Sequence, residues 1–171
     1  MSNVLIGIIG VILFIGLALA GALFLGPRFQ EATLNSKAAA MTQSVHQIAS
    51  AASLYEVQEG RQLTAANAGA VTNTLVGAGY LKSPPVNPVA SWTFDGNTDA
   101  GTYAGKVTVV HAGMPLTTSN ARICSIIAKQ GGMTVVDDAA PPAQSTLPTN
   151  KFGCFRANGY IDDVYLVYER I

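Results

Sequence analysis

The stretch LNSKAAAMTQSVHQIASAASLYEVQEG, residues 34–60, decides the fold of this chain. Apolar residues recur in it at alternating spacings of four and three, which places them on one face of an α-helix. No glycine or proline interrupts residues 28–59, and Gly60 is suited to ending a helix. The pattern predicts a long amphipathic helix whose apolar face packs on a folded domain. That face, called the stripe below, consists of Leu34, Ala38, Met41, Val45, Ile48, Ala52 and Tyr55.

Towards the N-terminus the same predicted helix becomes apolar on every side. Val4–Leu25 contains no charged residue, and as a helix it would span about 33 Å, enough to cross the hydrocarbon core of a membrane. Pro27 does not have to end the helix if the preceding carbonyl groups find other partners. The sequence therefore predicts one helix from Val4 to Glu59, divided into an apolar half over 1–27 and an amphipathic half over 28–60, followed by a globular head over 61–171.

Three alternatives compete for the apolar segment: a cleaved signal peptide, a simple membrane anchor and a handle for building a polymer. Ala18-Leu19-Ala20 is similar to a signal-peptidase site, but residues 1–3 carry no Lys or Arg, and apolar sequence continues after Ala20. Arg28 lies on the C-terminal side, which the positive-inside rule would place in the cytoplasm. A basic leader removed from before Met1 would resolve that conflict.

Glycines recur along the apolar segment. Small residues allow helix backbones to approach closely in lipid, and each glycine weakens a helix by roughly 1 kcal/mol relative to alanine. We therefore predict that the segment packs against other helices and can flex at Gly16, Gly21 and Pro27.

Composition narrows the classes of function. Ten Lys and Arg residues balance ten Asp and Glu residues, so the sequence gives no basic footprint for nucleic acid. The two cysteines, Cys124 and Cys154, are too few for a tetrahedral zinc site and lack the spacing of a CxxC redox motif. Outside the cytoplasm they would form one structural disulfide, and two buried free thiols are the alternative.

After Gly60 the order of elements predicts an α+β domain in which a small antiparallel sheet lies on the long helix. Ile161–Tyr168 is predicted to be a strand whose residues 164–168 are apolar on both faces, so it is either central in the sheet or covered by a helix or a neighbouring subunit. The run Thr117-Thr118-Ser119 offers an N-cap for a helix through Lys129 that closes at Gly131-Gly132. The other predicted elements are a helix at 67–76, strands at 91–94, 106–110, 133–136 and 152–155, a turn at 95–105 and a surface loop at 137–150.

No constellation of side chains predicts catalysis. His46 and His111 have no Cys, His, Asp or Glu at metal-ligand spacing. The pairs Asp137-Asp138 and Asp162-Asp163 lack the alternating spacing of a calcium-binding loop. The sequence also lacks the G-x-S-x-G elbow of serine hydrolases. We therefore predict no metal, no cofactor and no enzymatic activity.

The order of these features resembles that of the type IV pilins, and most of all the type IVb major pilins. The residues KAAAMTQSVHQIASAASLYEVQEG (37–60) resemble the amphipathic half of the pilin helix. The segments LVGAGYLKSPPVNP (75–88), ICSIIAKQGG (123–132) and FGCF (152–155) are similar to the type IVb branch. The resemblance implies the pilin fold, a long N-terminal helix packed on a small antiparallel sheet, and a disulfide between Cys124 and Cys154.

The resemblance also implies a structural subunit that polymerises with identical copies into an extracellular filament on the bacterial surface. Unassembled subunits would sit in the inner membrane until type IV pilus assembly machinery extracts them. Met1 would be a processed, methylated N-terminus, and Leu5 stands where the family usually carries Glu. The filament core would consist of bundled apolar half-helices, through Val4, Leu5, Ile8, Ile9, Val11, Leu13, Phe14, Leu17, Leu19, Leu23 and Phe24.

Two alternatives to a major pilin stay open. A minor pilin or a type II secretion pseudopilin would share the same architecture. A membrane-anchored periplasmic binding domain would use the first segment only as a tether, but a tether does not need an unbroken stripe through Tyr55. In the filament hypothesis, segments 95–105 and 137–150 are predicted to form the exposed, variable face.

Overall fold

A single long helix, α1, runs from Ser2 to Glu59. The computed structural model describes residues 2–64, 70–89, 94–97, 109–144, 146–158 and 164–171, and for residues 2, 3, 24, 25, 27, 70 and 94–97 it describes the backbone alone. The helix ends where Gly60 adopts a φ of 61°, as the sequence predicts. Polar residues are accommodated within the helix because the hydroxyl groups of Thr42 and Ser53 donate to the carbonyl groups of Ala38 and Ala49.

The chain divides into two compact units, Met1–Leu34 and Asn35–Ile171. The first unit consists of the N-terminal part of α1 through Leu34. The second unit holds the rest of α1 and the whole head. The boundary lies within α1, a few residues after the change of composition at 27/28 from which the sequence-based division was drawn.

The stripe forms one side of the core in the second unit. Its six members from Ala38 to Tyr55 are each at most 7% exposed, whereas Leu34 is half-buried. His46, beside the stripe, hydrogen bonds to Glu169 on the last strand, with 2.9 Å between Nδ1 and Oε1. The amphipathic half of α1 therefore packs on the sheet, and the α+β fold with a long N-terminal helix is confirmed.

A short helix, α2, covers Ala70–Gly77 and buries Val71 and Leu75 completely. The predicted start at Asn67 lies outside the described residues. Gly79, at a φ of 82°, ends the turn that follows, and the amide of Tyr80 donates to the carbonyl of Leu75. Tyr80 then meets Tyr55 of α1 edge to face, with 5.4 Å between ring centroids, so α2 is fixed against the end of the long helix.

The sheet has five strands in the order β1-β2-β5-β4-β3. Neighbours are antiparallel except for β3, which pairs parallel to β4. The sheet is therefore mixed, whereas the sequence predicted a purely antiparallel one. The strands are β1 at Phe94–Asn97, β2 at Val109–Pro115, β3 at Ala143–Gln144, β4 at Phe152–Ala157 and β5 at Val164–Arg170.

Strand β5 occupies the centre of the sheet, between β2 and β4. Its residues from Val164 to Glu169 are all buried, so neither face of the strand is open to solvent. Of the alternatives predicted for a strand with two apolar faces, the central position is the one the structure shows. The first predicted residues of that strand, 161–163, lie outside the described residues.

The boundaries of the first two strands differ from the prediction. Strand β1 begins at Phe94, where the predicted strand ended, and β2 continues past Val110 to Pro115. The polar run Asp95-Gly96-Asn97 favoured a turn, but its backbone pairs with Val109–His111 at the edge of the sheet. The long partner β5 extends β2, because its ladder continues as far as the pair Pro115 and Val164. Residues 91–93 and 98–108 lie outside the described residues.

Two further expectations, for the segments that follow the helix carrying Cys124, are wrong. No strand forms at 133–136, because the amide of Met133 donates to the carbonyl of Ala128 and closes the preceding helix. The segment 137–150 is not simply an exposed loop. It contains β3, and the amide of Arg156 on β4 donates to the carbonyl of Pro142. Pro141 and Pro148 are buried, so part of the segment is docked on the sheet.

Helix α3 covers Thr118–Gln130. The Thr117 hydroxyl accepts from the amide of Asn120 at 3.2 Å, which confirms the predicted N-cap. At the other end Gly131 caps the helix, and Gly132 adopts a φ of 75°. Helix α3 packs across β4 and β5 and completes the core with Ile123 and Ile127, both essentially unexposed.

Gly131→Ala tests the close approach between the end of α3 and the start of β4. A Cβ at Gly131 would overlap the carbonyl oxygen of Phe152 and lie 3.1 Å from the Gly153 Cα. Both contacts are with backbone, so we expect a loss of about 2–3 kcal/mol in unfolding free energy. The control is Gly77→Ala, where the added Cβ meets nothing within 4 Å. Equal melting temperatures for the two full-length variants in detergent would contradict the contact.

Candidate assembly surface

The apolar half of α1 presents large apolar side chains on all sides of the helix. From Val4 to Leu23 these side chains are between 51% and 77% exposed. Monomeric soluble proteins rarely expose such a contiguous apolar surface, and surfaces of this kind mark contact with lipid or with other protein. The surface includes the predicted filament-core residues Val4, Leu5, Ile8, Ile9, Val11, Leu13, Phe14, Leu17, Leu19 and Leu23.

The helix is continuous through the residues at which flexing was predicted. Gly16, Gly21 and Pro27 all lie within α1, and a Cβ at either glycine would meet no atom within 4 Å. Flexibility at these three positions stays a prediction. Phe24 also lies in α1, but its side chain is outside the described part of the structure, as is the structure of Met1.

By length and composition, α1 can cross a membrane, and within the described part of the chain it is the one helix that can. Its most apolar window has a mean hydropathy of 2.8 and no buried residues. A signal sequence at an N-terminus meets the same criterion, so the observation supports contact with a membrane without distinguishing how the segment is used.

The disulfide implied by the resemblance is present. Cys124 on α3 and Cys154 on β4 are bonded, with 5.1 Å between their Cα atoms. Both residues are 0% exposed, so the bond lies inside the core between helix and sheet. It closes a loop across 30 residues of sequence and ties the segment containing β3 to the rest of the head.

Sequence reasoning missed the role of Glu169. This residue is 6% exposed on the central strand, and both of its carboxylate oxygens lie close to His46 Nδ1, at 2.9 and 3.1 Å. A buried carboxylate is stable only when it is hydrogen bonded, so the imidazole supports both the charge and the contact between α1 and β5. The predicted strand ended at Tyr168. Extending it by one residue would have placed a charged side chain on a buried strand and prompted a search for its partner.

His111 lies in β2, not after a strand as the sequence suggested, and it is half-buried. Desolvation lowers the pKa of His111 from 6.5 to about 4. The imidazole is therefore neutral at neutral pH. In this chain it contributes to the sheet and not to a charged site.

The lowered pKa of His111 predicts a loss of stability in acid. The unfolded chain takes up a proton on this imidazole near pH 6.5 and the folded chain only near pH 4, so stability falls as pH decreases through this window. Allowing for partial exposure, we expect His111 to account for about 1–2 kcal/mol of the fall. Replacing His111 with Gln should flatten the profile by that amount in denaturant titrations at pH 7 and pH 4. Identical profiles for wild type and His111→Gln would contradict the prediction.

The remaining acidic residues that the structure describes form no cluster with other potential ligands. Among the described residues there is no group of three or more His, Cys, Asp or Glu side chains that could hold a metal ion. Asp138 forms an ion pair with Lys129 at 2.6 Å, and the Asp137 carboxylate accepts from the amide of Ala139. The pair Asp162-Asp163 lies outside the described residues.

No family model, no curated protein and no solved structure matches this chain. Its function is therefore inferred from its own residues, and above all from the exposed apolar surface of α1.

Proposed function

We propose that this chain is a structural subunit that polymerises into a type IV pilus-like extracellular filament. The observation that carries the proposal is the charge-free surface from Val4 to Leu23, more than half exposed at every large apolar side chain. Beyond Arg28 and Glu31 the same helix carries the stripe, whose residues from Ala38 to Tyr55 are buried in the core of the head. A simple membrane anchor would not require the apolar surface and the stripe to lie on one continuous helix.

Assembly follows from exchange of one apolar environment for another. Before assembly, the apolar half of α1 lies in the inner membrane, where lipid covers it. In the filament, the same half-helices from neighbouring copies cover one another, so extraction never leaves the surface in water. Contact between different faces of successive copies does not close on itself, and it therefore produces an open helical polymer.

The disulfide supports a location outside the cytoplasm for the head. Disulfides persist in oxidising compartments, and this one is buried in the core between Cys124 and Cys154. In the proposal, the head folds on the outer face of the inner membrane, assembly machinery of the type IV pilus class extracts the subunit, and the filament reaches the cell surface. The subunit itself carries no catalytic role and no cofactor.

Electron microscopy and fractionation of sheared surface material test the proposal. We expect the chain to pellet with fibres, and its abundance in them separates a major pilin from a minor pilin or a pseudopilin. The second candidate, a membrane-anchored binding domain, is compatible with a helix that can cross a bilayer. It predicts that the chain stays in the membrane fraction as a monomer, and that result would overturn the filament proposal.

A further inference from the structure

The first charged side chains of the sequence are Arg28 and Glu31, which follow the apolar surface directly. They have opposite signs, and the next charged residue is Lys37. Both lie in α1, and both are exposed. At about 100° and 1.5 Å per residue, side chains three positions apart lie on the same side of a helix, about 4.5 Å apart along its axis.

We propose that Arg28 of one copy pairs with Glu31 of the next copy, and that this pair fixes the register between neighbouring helices. The inference rests on the proposed filament, because it assigns a role to two residues at the edge of the surface that would bundle. The occupant of the site is a second copy of this chain, and the recognition is charge complementarity.

The apolar surface alone does not determine a register. Hydrophobic contact is non-directional and depends on the area covered, so sliding one uniformly apolar helix along another changes its energy little. The side chains from Val4 to Leu23 are apolar on all sides of the helix, and therefore offer no polar group to select one position. One acidic and one basic side chain per copy select the register. At one axial displacement between neighbouring helices the opposite charges face each other and attract, and at other displacements like charges repel.

Neighbouring apolar helices strengthen this effect. Two charges attract more strongly beside protein than in water, and a charge left unpaired in such surroundings is strongly unfavourable. A misregistered copy would leave both Arg28 and Glu31 unmatched at the margin of the bundle. Charged residues at a small number of positions are also the way in which other helical assemblies specify register.

The pair also gives the contact a direction. Each copy offers Arg28 to one neighbour and Glu31 to another, so the contact is heterologous and does not close into a symmetric dimer. Because the two positions differ by three residues, parallel neighbours are displaced along the axis by a distance on the order of one 5.4 Å turn. Identical contacts then repeat along the polymer.

Charge complementation between copies tests the proposal against pairing within one helix. Arg28→Glu yields a copy with two acids, and Glu31→Arg a copy with two bases. We expect each variant alone to lower filament yield at least tenfold, and co-expression of the two to restore at least half of the wild-type yield. Pairing within one helix predicts no restoration on mixing, so yields that stay low would overturn the proposal. Arg28→Lys, which keeps the charge, is the control and should assemble normally.

A crosslink provides a measurement that does not depend on yield. Arg28→Cys and Glu31→Cys copies are co-expressed with wild type, and the fibres are oxidised with copper phenanthroline. We expect a dimer that requires both variants, and fibres without it would overturn the pairing even if the charge variants had failed to insert in the membrane. Wild-type fibres with neither complementation nor crosslink would reject this register alone, whereas absence of wild-type fibres would reject the filament and the register together.

Discussion

Ile9→Asp is expected to abolish filament assembly. Ile9 is 53% exposed in the isolated chain, in the middle of the apolar surface, and in a bundle it would be covered by neighbouring copies. An unpaired carboxylate at such a site costs about 3–5 kcal/mol per subunit, which corresponds to a loss of at least about 100-fold in association. Leu13→Asp and Phe14→Asp should behave in the same way. The measurement is the yield of fibres in sheared material, counted by microscopy and quantified by immunoblot.

Two controls make that result specific. Gln47→Asp adds the same charge to the same helix at an exposed position beside the stripe, and should leave yield unchanged. The membrane fraction must also contain the Ile9→Asp chain, because a carboxylate near the centre of a membrane helix opposes insertion by about 3 kcal/mol. Fibres at wild-type yield from an inserted Ile9→Asp chain would contradict a core made of bundled half-helices.

Cys124→Ser is expected to give the largest loss of stability in the head. The disulfide closes a loop across 30 residues, which in the chain-entropy model corresponds to about 3–4 kcal/mol. Serine also places a hydroxyl group where the sulfur is 0% exposed. We expect a lower melting temperature of the full-length chain in detergent, and fewer filaments because fewer subunits reach them folded.

The double variant Cys124→Ala/Cys154→Ala separates these two causes. It removes the covalent bond without burying a hydroxyl group or leaving a free thiol, so it should recover part of the loss and no more. Mass spectrometry of mature wild-type protein should find the two sulfurs bonded. Two free thiols in that protein would refute both the pairing and its contribution to stability.

The parts of the fold that sequence predicted well are those with a strong local pattern. The stripe could be predicted without knowing what it packs against, because apolar residues at spacings of four and three always lie on one face of a helix. Thr117 and Gly131 marked the ends of α3 through chemistry confined to a few residues. The apolar side chains on both faces of the strand at Tyr165 and Leu166 indicated a strand buried on both sides before its neighbours were known.

The parts that were missed depend on partners distant in sequence. The extension of β2 to Pro115 is set by the length of β5, which lies about 50 residues further along the chain. Strand β3 consists of two residues without apolar alternation, and it exists only because β4 offers it backbone groups. Met133 was predicted to begin a strand, but its amide instead donates to the carbonyl of Ala128 and closes α3. Local propensity has little influence in such places.

The candidate surface was predictable from composition, but the polar details around it were not. An uncharged segment of this length can be recognised in any sequence, and its large apolar side chains are more than half exposed in the structure. The pairing of His46 with Glu169 joins residues 123 positions apart, and no local rule would have connected them. The same holds for the contact of Asn87 with the carbonyl of Gly113.

The central position of β5 constrains the order of events during synthesis. Strands β2 and β4 flank β5 and do not pair with each other, so the sheet has no ladder at its middle until the ribosome has made Val164–Arg170. At 5–20 residues per second, the interval between the end of α1 and that moment is on the order of 10 s. Until then only the two outer pairs of strands, β1 with β2 and β3 with β4, can form.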